Sequence, residues 1–423
     1  MVKIFRFCVK LFVALTVILF FENCAAQSPP GGGAEDKTGP SVISTYPANH
    51  ATLVSSDSEI YIEFDEHISW KSIADQISTS PVNLKFHTES RTNRLLVNFE
   101  ELFPENKTIR ITLGTGIKDL RNNGLEEPFT FAFSTGEFID SAIVEGKLFC
   151  PSGKSTVVKL QKFIDDSLIC EYVLPQNTRE SYQFTNIHSG QYILTASFAQ
   201  EKSIVFLAHI ILDDSSKKNL DIFTATSAQI QQPPDQPFQL LQILPEDSTT
   251  FSPHAKIKFV CAGNWNKFPS DSVFIFSDSV AVDGIWKNRG NQWIFDSETW
   301  ETGSEISVEF DTLSQRYFVL PKDSLGSLSG TLEREDFSNW HVKILANQTL
   351  KTIAQAPVNF DGTWQVDKLV PQNVRIFAFQ DLNENQEYDS GNEETLSSHE
   401  PFIMYSENVE IRARWRKDGI VLK

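Results

Sequence analysis

The sequence predicts an all-β protein made of tandem β-sandwiches that follow a signal peptide. Apolar and polar residues alternate in short segments such as EIYIEFDE, TIRITL and PFTFAFSTG, and a period of two is typical of strands with one buried face. Turn-forming residues separate such runs, for example at Arg121–Gly124. Long helical periodicity is absent. Many short strands joined by frequent turns favour β-sandwiches.

The first residues have the pattern of an export signal. A basic lead precedes the apolar run Leu11–Phe21, which is shorter than the about 20 residues that a permanent membrane helix needs. We therefore expect residues 1–23 to be a signal peptide that is removed after export. Cys24 is then the candidate lipid-carrying first residue, and the Pro/Gly-rich segment 24–39 is a flexible tether.

An alternative stays open at this signal. Bacterial lipoprotein signals usually place small residues just before the cysteine, whereas Glu22 and Asn23 stand there in this chain. Ordinary cleavage near Ala25–Ala26 would give a secreted protein rather than a lipid-anchored one.

Composition limits the kinds of partner. A formal charge of −18 argues against nucleic acid, which basic patches recognise, and against electrostatic binding to anionic lipid. The 423 residues suggest about three or four domains. With 33 Phe and only 2 Met, the core is expected to be aromatic.

Internal echoes divide the chain into four units. The echoes join Val42–Leu53 to Leu240–Phe251, Val144–Phe149 to Leu328–Glu333, and Phe184–Ala196 to Val366–Ala378. We name the predicted units A (40–137), B (138–228), A′ (238–324) and B′ (325–423), with the Pro-rich linker 229–237 between the halves. Each unit has roughly the 90 residues that are usual for an immunoglobulin-like sandwich.

Unit A resembles the bacterial Ig-like domain named after the surface-layer protein SbsA. The resemblance rests on a Pro-Ala-Asn turn, an F-x-E-x-I strand end, a D-x-x-x-N-G turn and a closing F-S-T-G, at Pro47–Asn49, Phe64–Ile68, Asp119–Gly124 and Phe133–Gly136. Units B and B′ resemble transthyretin-like, carboxypeptidase-regulatory-like sandwiches, with an F-x-N-I-x-x-G-x-Y segment at Phe184–Tyr192.

The order of the units resembles the Ig-like-domain-containing lipoproteins of Bacteroidetes-type envelopes. The shared marks are a cysteine followed by a Pro/Gly-rich segment, an Asp/Asn-rich loop at Asp381–Glu394 and a closing R-A-x-W strand at Arg412–Trp415. This resemblance implies tandem Ig-like and transthyretin-like sandwiches at the outer membrane. It implies no known activity.

The Asp/Asn-rich loop is the sharpest candidate site, and Ca²⁺ is the cofactor it suggests. Asp381, Asn383, Asn385 and Asp389 occupy places 1, 3, 5 and 9 of a calcium loop, and the carbonyl of Glu387 would take place 7. Gln386 and Asn392 depart from the expected Gly and bidentate Glu. The alternative is a solvated acidic hairpin tip. The corresponding segment of unit B has no comparable series of acidic residues.

Four tryptophans crowd unit A′, at Trp265, Trp286, Trp293 and Trp300. On one exposed face they would form a platform for stacking sugars, but we expect them to pack in the core of a sandwich, where aromatic rings bury large areas.

Cys150 and Cys170 bracket two predicted strands of unit B. A disulfide between neighbouring strands is feasible when the Cα atoms lie within about 7 Å. The alternative is a pair of buried thiols, and the sequence does not decide between them.

The motifs H-E-x-x-H and G-x-S-x-G, the Walker loop and G-x-G-x-x-G are all absent, so no catalytic residues are expected and we predict that the chain is not an enzyme. We predict a lipid-anchored envelope protein of the outer membrane, periplasmic or surface-facing, with a structural or partner-binding role. Its partner would be an envelope protein or a glycan. The alternative is a glycan-binding accessory of a polysaccharide-processing system.

Overall fold

The computed structural model describes residues 36–69, 73, 76–80, 84–164, 167–174, 180–198, 204–224, 234–246, 250–297, 299–392 and 394–423. Over these ranges the chain consists of β-strands and turns with three short 3-10 helices and no α-helix, which confirms the predicted all-β class. None of these described helices is long and apolar enough to cross a membrane. The predicted signal peptide, Cys24, most of the tether and residues 229–233 of the linker lie outside the described residues.

The segment of unit A forms two sheets that enclose one core. Its strands are β1 (Val42–Tyr46), β2 (Ile60–Phe64), β3 (Ile77–Ser80), β4 (Phe86–Arg91), β5 (Arg94–Phe99), β6 (Thr108–Leu113) and β7 (Phe129–Ser134). The sheet orders are β1-β2-β5-β4 and β3-β6-β7. The alternation predicted for β2 is confirmed, since Ile60, Ile62 and Phe64 are buried and the residues between them are partly exposed.

The segment of unit B also forms two sheets. Its strands are β8 (Ala142–Phe149), β9 (Thr156–Ile164), β10 (Ser167–Val173), β11 (Ser181–Ile187), β12 (Gly190–Phe198), β13 (Ile204–Leu212), β14 (Lys217–Asn219) and β15 (Ile222–Phe223). One sheet has the order β10-β9-β12-β13 and the other β11-β8-β14, with β15 also pairing with β8.

Cys150 and Cys170, for which the sequence left a disulfide and two buried thiols open, form no disulfide. Cys150 follows β8, which pairs with β11 and β14, whereas Cys170 lies in β10 of the other sheet. Each thiol donates to a carbonyl nearby in its own sequence, Lys154 at 3.8 Å and Tyr172 at 3.5 Å. The alternative of two buried thiols is not met in full either, since both are only half-buried.

The segment of unit A′ carries strands β16 (Gln239–Leu244), β17 (Thr250–Phe251), β18 (Ile257–Ala262), β19 (Val273–Ser277), β20 (Val280–Ala281), β21 (Ile285–Arg289), β22 (Gln292–Asp296), β23 (Glu305–Phe310) and β24 (Leu313–Val319). The 3-10 helices are Trp265–Lys267, Ser270–Ser272 and Lys322–Ser324. The sheets are β16-β18-β22-β21 and β17-β24-β23-β19-β20.

The tryptophans of this segment are core residues, as predicted. Trp265 and Trp300 are only 7% and 3% exposed, and Trp286 and Trp293 pack against the same core. Two of the indole N–H groups donate to backbone carbonyls, Trp293 to Trp265 and Trp300 to Ala255, both at 2.7 Å. A buried indole needs such a partner, so these rings are built into the sandwich.

The segment of unit B′ ends the chain. Its strands are β25 (Gly326–Leu332), β26 (Trp340–Ala346), β27 (Thr352–Pro357), β28 (Thr363–Leu369), β29 (Asn373–Gln380), β30 (Phe402–Met404), β31 (Val409–Glu410) and β32 (Arg416–Leu422). The sheets are β28-β25-β32 and β27-β26-β29-β30, with β31 also pairing with β29.

The repeated segments of the sequence have register shifts in their strand pairing at matching positions. The pairing of β1 with β2 shifts register between Val42 and Ser44, and that of β16 with β18 shifts between Leu240 and Gln242, the aligned positions. The pairing of β8 with β11 and that of β25 with β28 likewise shift at aligned positions. A bulge inserts a residue at a fixed place in a strand, so these matches support the duplicated order A-B-A′-B′.

Direct contacts join consecutive units. Between A and B, the Ser80 hydroxyl donates to the carbonyl of Glu171 at 3.0 Å, and the Arg110 guanidinium lies 5.8 Å from the ring centre of Phe184. Arg110 is 3% exposed, and this burial lowers its pKa to about 10. Because β6 contacts B on one side and the core of A on the other, it is buried on both faces.

We expect limited proteolysis to cut first within 229–237, because exposed linkers with few crossing contacts are cut before packed strands. Two fragments of similar size should appear on a denaturing gel. Under native conditions they should elute together, since B and B′ also touch directly; for example, the amide of Ser152 donates to the carbonyl of Gln348 at 2.7 Å. Degradation without stable intermediates would contradict the predicted boundaries.

Candidate functional site

The candidate site is the long connection Asp381–Pro401 between β29 and β30, which we name the junction loop. It includes the predicted calcium residues. Its two sides are held together by the carboxylate of Glu400, which accepts the amide N–H of Leu382 at 2.7 Å and that of Asp389 at 2.9 Å. Glu400 is 4% exposed. Burial raises its pKa, and the nearby charges of Asp389 and Asp381 raise it further.

Asp381 organises the first turn of the loop. Its carboxylate is 1% exposed and accepts the amide N–H groups of Asn385 at 3.1 Å and Gln386 at 2.7 Å. To curl around this carboxylate, the backbone takes left-handed conformations at Glu384 (φ 60°) and Gln386 (φ 63°). Gln386 thus adopts the backbone form for which a calcium loop uses Gly at its sixth place.

The predicted ligand residues converge on Asp389. Its Oδ2 atom accepts the side-chain amides of Asn383 at 2.7 Å and Asn385 at 2.9 Å. The loop therefore brings together the four predicted ligand residues, Asp381, Asn383, Asn385 and Asp389. The Asn385 Oδ1 atom also accepts the amide N–H of Glu387 at 2.7 Å, which places the Glu387 backbone beside this group.

The side chain of Glu387 points elsewhere, toward two cations. It accepts from the ammonium of Lys343 in β26 at 3.1 Å and pairs with Arg289 of β21 in unit A′. Burial alone would raise the pKa of Glu387, but Lys343 and Arg289 outweigh it and hold the pKa below its usual value. Lys343 has only 6% of its side chain exposed, and this burial lowers its pKa despite the attraction of Glu387.

The far half of the junction loop binds the edge strand β13 of unit B. The amide of Leu207 donates to the carbonyl of Ser390 at 2.9 Å, and the amide of His399 donates to the carbonyl of Leu207 at 2.8 Å. The rings of Phe206 and His399 stack at 4.5 Å. A Cβ atom on Gly391 (φ 95°) would lie 2.8 Å from the Cβ of Leu207, so only glycine fits this approach.

Aromatic rings complete the contact between B and B′. Phe223 of β15 stacks on Phe377 of β29 at 4.3 Å, and Tyr388 of the junction loop meets both rings edge-on, at 5.6 Å and 5.1 Å. The Tyr388 hydroxyl is buried without a hydrogen-bond partner among the described residues. Burial raises its pKa well above the usual value, with added contributions from Glu400 and Asp389.

Sequence reasoning missed these contacts between units, although one signal was present. The β13 sequence IVFLAHIIL is almost continuously apolar, which is typical of a strand covered on both faces. The contact partners are far away in sequence, so periodicity could not identify them.

A second group of carboxylates lies in unit A. Asp36, Glu66 and Asp119 have oxygen atoms within 4.8 Å of one another. Asp119 caps the predicted turn, since it accepts the amides of Arg121 at 2.8 Å and Asn123 at 2.7 Å. Arg121 also pairs with Asp36 at 3.3 Å. The group therefore already serves to hold this turn and the start of the described chain together.

Comparison with known proteins identifies part of the chain. Residues 36–135 match the family of bacterial Ig-like domains, in agreement with the resemblance of unit A. No curated protein matches the chain.

Solved structures give only distant similarities. An L,D-transpeptidase from Mycobacterium smegmatis is 11% identical over 33% of this chain and 76% of its own, with a TM-score of 0.22. The N-terminal part of the bacterial S-layer protein SbsC is 14% identical over 41% and 44%, with a TM-score of 0.18. BcpA, the major pilin subunit of Bacillus cereus, is 8% identical over 67% and 99%, with a TM-score of 0.18. Similarities this low support no functional conclusion.

The pairing of Glu387 with Lys343 gives a stability prediction. Glu387→Gln should lower the free energy of unfolding by about 1–2 kcal/mol, because it leaves a buried ammonium without its anion; the effect is limited because the Glu387 side chain is 40% exposed. Urea unfolding would measure it. The double variant Lys343→Met/Glu387→Gln should recover most of the loss.

The control is Arg289→Gln, which removes the other, more exposed cation and should cost less than about 1 kcal/mol. If the double variant lost as much stability as the two single variants Lys343→Met and Glu387→Gln lose together, the pair would not be coupled.

Proposed function

We propose that this chain is a lipid-anchored cell-envelope protein with a structural or partner-binding role and no catalytic activity. One observation carries the proposal: the junction loop joins units through both its backbone and its side chains. Glu400 closes the loop, Glu387 binds cations of A′ and B′, and Ser390 and His399 bind the edge of B. A loop built in this way holds sandwiches in a fixed arrangement.

Partner binding by strand addition fits this architecture. Two edge strands, β4 and β21, pair with their neighbours without any register shift, so their outer edges run straight. β21 also carries Ile285, which is 66% exposed. A straight edge with an exposed apolar side chain, as in β21, favours addition of a strand from a partner, and we propose an envelope protein as that partner.

The alternative role, that of a glycan-binding accessory, was suggested by the tryptophans of A′. The tryptophans of A′ are packed in the core, so they do not form an exposed stacking platform. A glycan would have to bind elsewhere on the chain.

The anchor is tested by Cys24→Ala. If Cys24 carries the lipid, the parent chain should sediment with the outer-membrane fraction and incorporate labelled palmitate, and the variant should be soluble and unlabelled. Cys150→Ala is the matched control, because it removes a cysteine of unit B that forms no disulfide and should leave the fractionation unchanged. Equal solubility of parent and Cys24→Ala would favour plain secretion.

We also propose that the junction loop binds Ca²⁺ through Asp381, Asn383, Asn385 and Asp389, with the Glu387 carbonyl as a further ligand. The donor set fits a hard cation, which takes carboxylate, amide and carbonyl oxygens. The oxygen and nitrogen of an Asn amide are interchangeable by rotation. Turning both amides would direct their oxygens toward Asp389 but would break the hydrogen bonds that these oxygens accept from the amide N–H groups of Asn385 and Glu387, so the cation would have to offset that loss. The ion would draw together two carboxylates that otherwise repel.

The calcium prediction uses the full chain. Millimolar Ca²⁺ should raise the melting temperature over that in chelator, because at about 100 times its dissociation constant a ligand adds roughly 2.7 kcal/mol to the stability of the folded form. We expect weak affinity, near about 10⁻⁴ to 10⁻³ M, since the Gly and the bidentate Glu are absent. Differential scanning calorimetry would measure the shift.

Asp389→Ala should abolish the shift. Glu384→Gln is the matched control, because Glu384 is an exposed carboxylate of the same loop outside the ligand set, and it should keep the shift. An equal shift with Mg²⁺, or one that persists in Asp389→Ala, would show that the loop holds no calcium site.

A further inference from the structure

A surface groove of about 420 Å³ lies on unit B′, away from the junction loop. It forms where the segment between β31 and β32 crosses β25. Its lining consists of Ser327, Leu328, Glu410, Ile411, Arg412, Trp415, Arg416, Lys417 and Asp418. The indole of Trp415 is 66% exposed. We name this feature the Trp415 groove.

The backbone of the groove is fixed onto β25. The amide of Ser327 donates to the carbonyl of Trp415 at 3.0 Å, and the amide of Arg414 donates to the carbonyl of Leu325 at 2.7 Å. A Cβ atom on Gly326 would lie 2.4 Å from the carbonyl oxygen of Arg412, so glycine allows the crossing segment to approach this closely. The groove is therefore preformed, which lowers the entropy cost of binding.

Charged side chains around Trp415 are held in place by each other. Arg412 donates twice to one oxygen of Glu410, at 3.0 Å and 2.7 Å, and its guanidinium lies 5.8 Å from the Trp415 ring centre. Arg416 pairs with Asp418 and donates to the hydroxyl of Ser329 at 3.3 Å. Paired guanidinium and carboxylate groups thus stand beside the exposed indole, and Arg412 lies over one of its faces.

This combination suits a sugar ring. The C–H face of a pyranose can stack on an indole as other apolar groups do, while its hydroxyl groups both donate to carboxylates and accept from guanidinium groups. The volume lies within the range of about 300–1,000 Å³ typical of small-ligand sites.

The charge of the lining selects among sugars. Arg412 and Arg416 are paired with Glu410 and Asp418, whereas Lys417 makes no ion pair with any residue that the structure describes. The groove therefore has one positive charge in excess on a chain with a formal charge of −18. We propose that the Trp415 groove binds an acidic saccharide of the hexuronic acid class, with a ring stacked on Trp415 and a carboxylate near Lys417.

This proposal is independent of the lipid anchor and of the calcium site, and its test uses the full chain. Isothermal titration calorimetry at low ionic strength would compare a galacturonic acid tetramer with a neutral glucose tetramer. The acidic tetramer should bind the parent chain, and more tightly than the neutral one. Trp415→Ala should weaken binding by about tenfold or more, which corresponds to the loss of one stacking contact.

Two further variants sharpen the test. Lys417→Gln should weaken binding of the acidic tetramer by about fivefold and leave the neutral one unaffected. Phe360→Ala is the matched control, since Phe360 is a fully exposed aromatic of the same unit outside the groove, and it should bind like the parent. An unchanged melting temperature would show that Trp415→Ala is folded.

Three outcomes would overturn the proposal. The parent chain could fail to bind the acidic tetramer at millimolar concentration, or Trp415→Ala could bind it as the parent does. In the third, a poly-glutamate peptide binds as tightly as the tetramer and is lost in Trp415→Ala, which would assign the groove to an acidic polypeptide.

Discussion

The carboxylate of Glu400 is the contact on which the arrangement of the second half depends. It accepts hydrogen bonds from the amides of Leu382 and Asp389 on opposite sides of the junction loop. This one buried side chain thus joins the two sides as pairing between strands would. With the loop closed, Ser390 and His399 lie where they can pair with β13 of unit B. The cost is a buried negative charge near Asp381 and Asp389, visible in the raised pKa of Glu400.

A duplicated order of units, which the aligned register shifts support, would explain why the two halves meet as they do. The sheet β10-β9-β12-β13 of B corresponds to β27-β26-β29-β30 of B′. Unit B connects β12 to β13 through residues 199–203, whereas B′ connects β29 to β30 through the whole of 381–401. The inserted loop of one copy covers the edge strand of the other. An exposed edge invites pairing with other chains, so this insertion also protects β13.

The sequence was most informative where structure is local. Alternation identified strands such as β2, and the aligned echoes coincide with shared register shifts. The convergence of Asn383 and Asn385 on Asp389 also follows from local spacing. Contacts across units could not be predicted in this way, because Glu387 meets Arg289 only after two sandwiches have packed together. The choice between a disulfide and two thiols at Cys150 and Cys170 stayed open for the same reason, since sequence separation does not tell which sheet a strand joins.

Trp415 of unit B′ differs from the tryptophans of A′ in its exposure to solvent. Those rings are abundant in sequence and belong to the core, whereas Trp415 is a single ring in a short segment and is exposed. Trp340 and Trp364 of unit B′ are buried as well, so exposure and not isolation in sequence distinguishes Trp415. Within unit B′, Asp381 and Glu400 of the junction loop are buried, whereas Trp415 of the groove is exposed. The contacts of the junction loop with β13 and with Arg289 would hold the groove at a constant orientation to units B and A′.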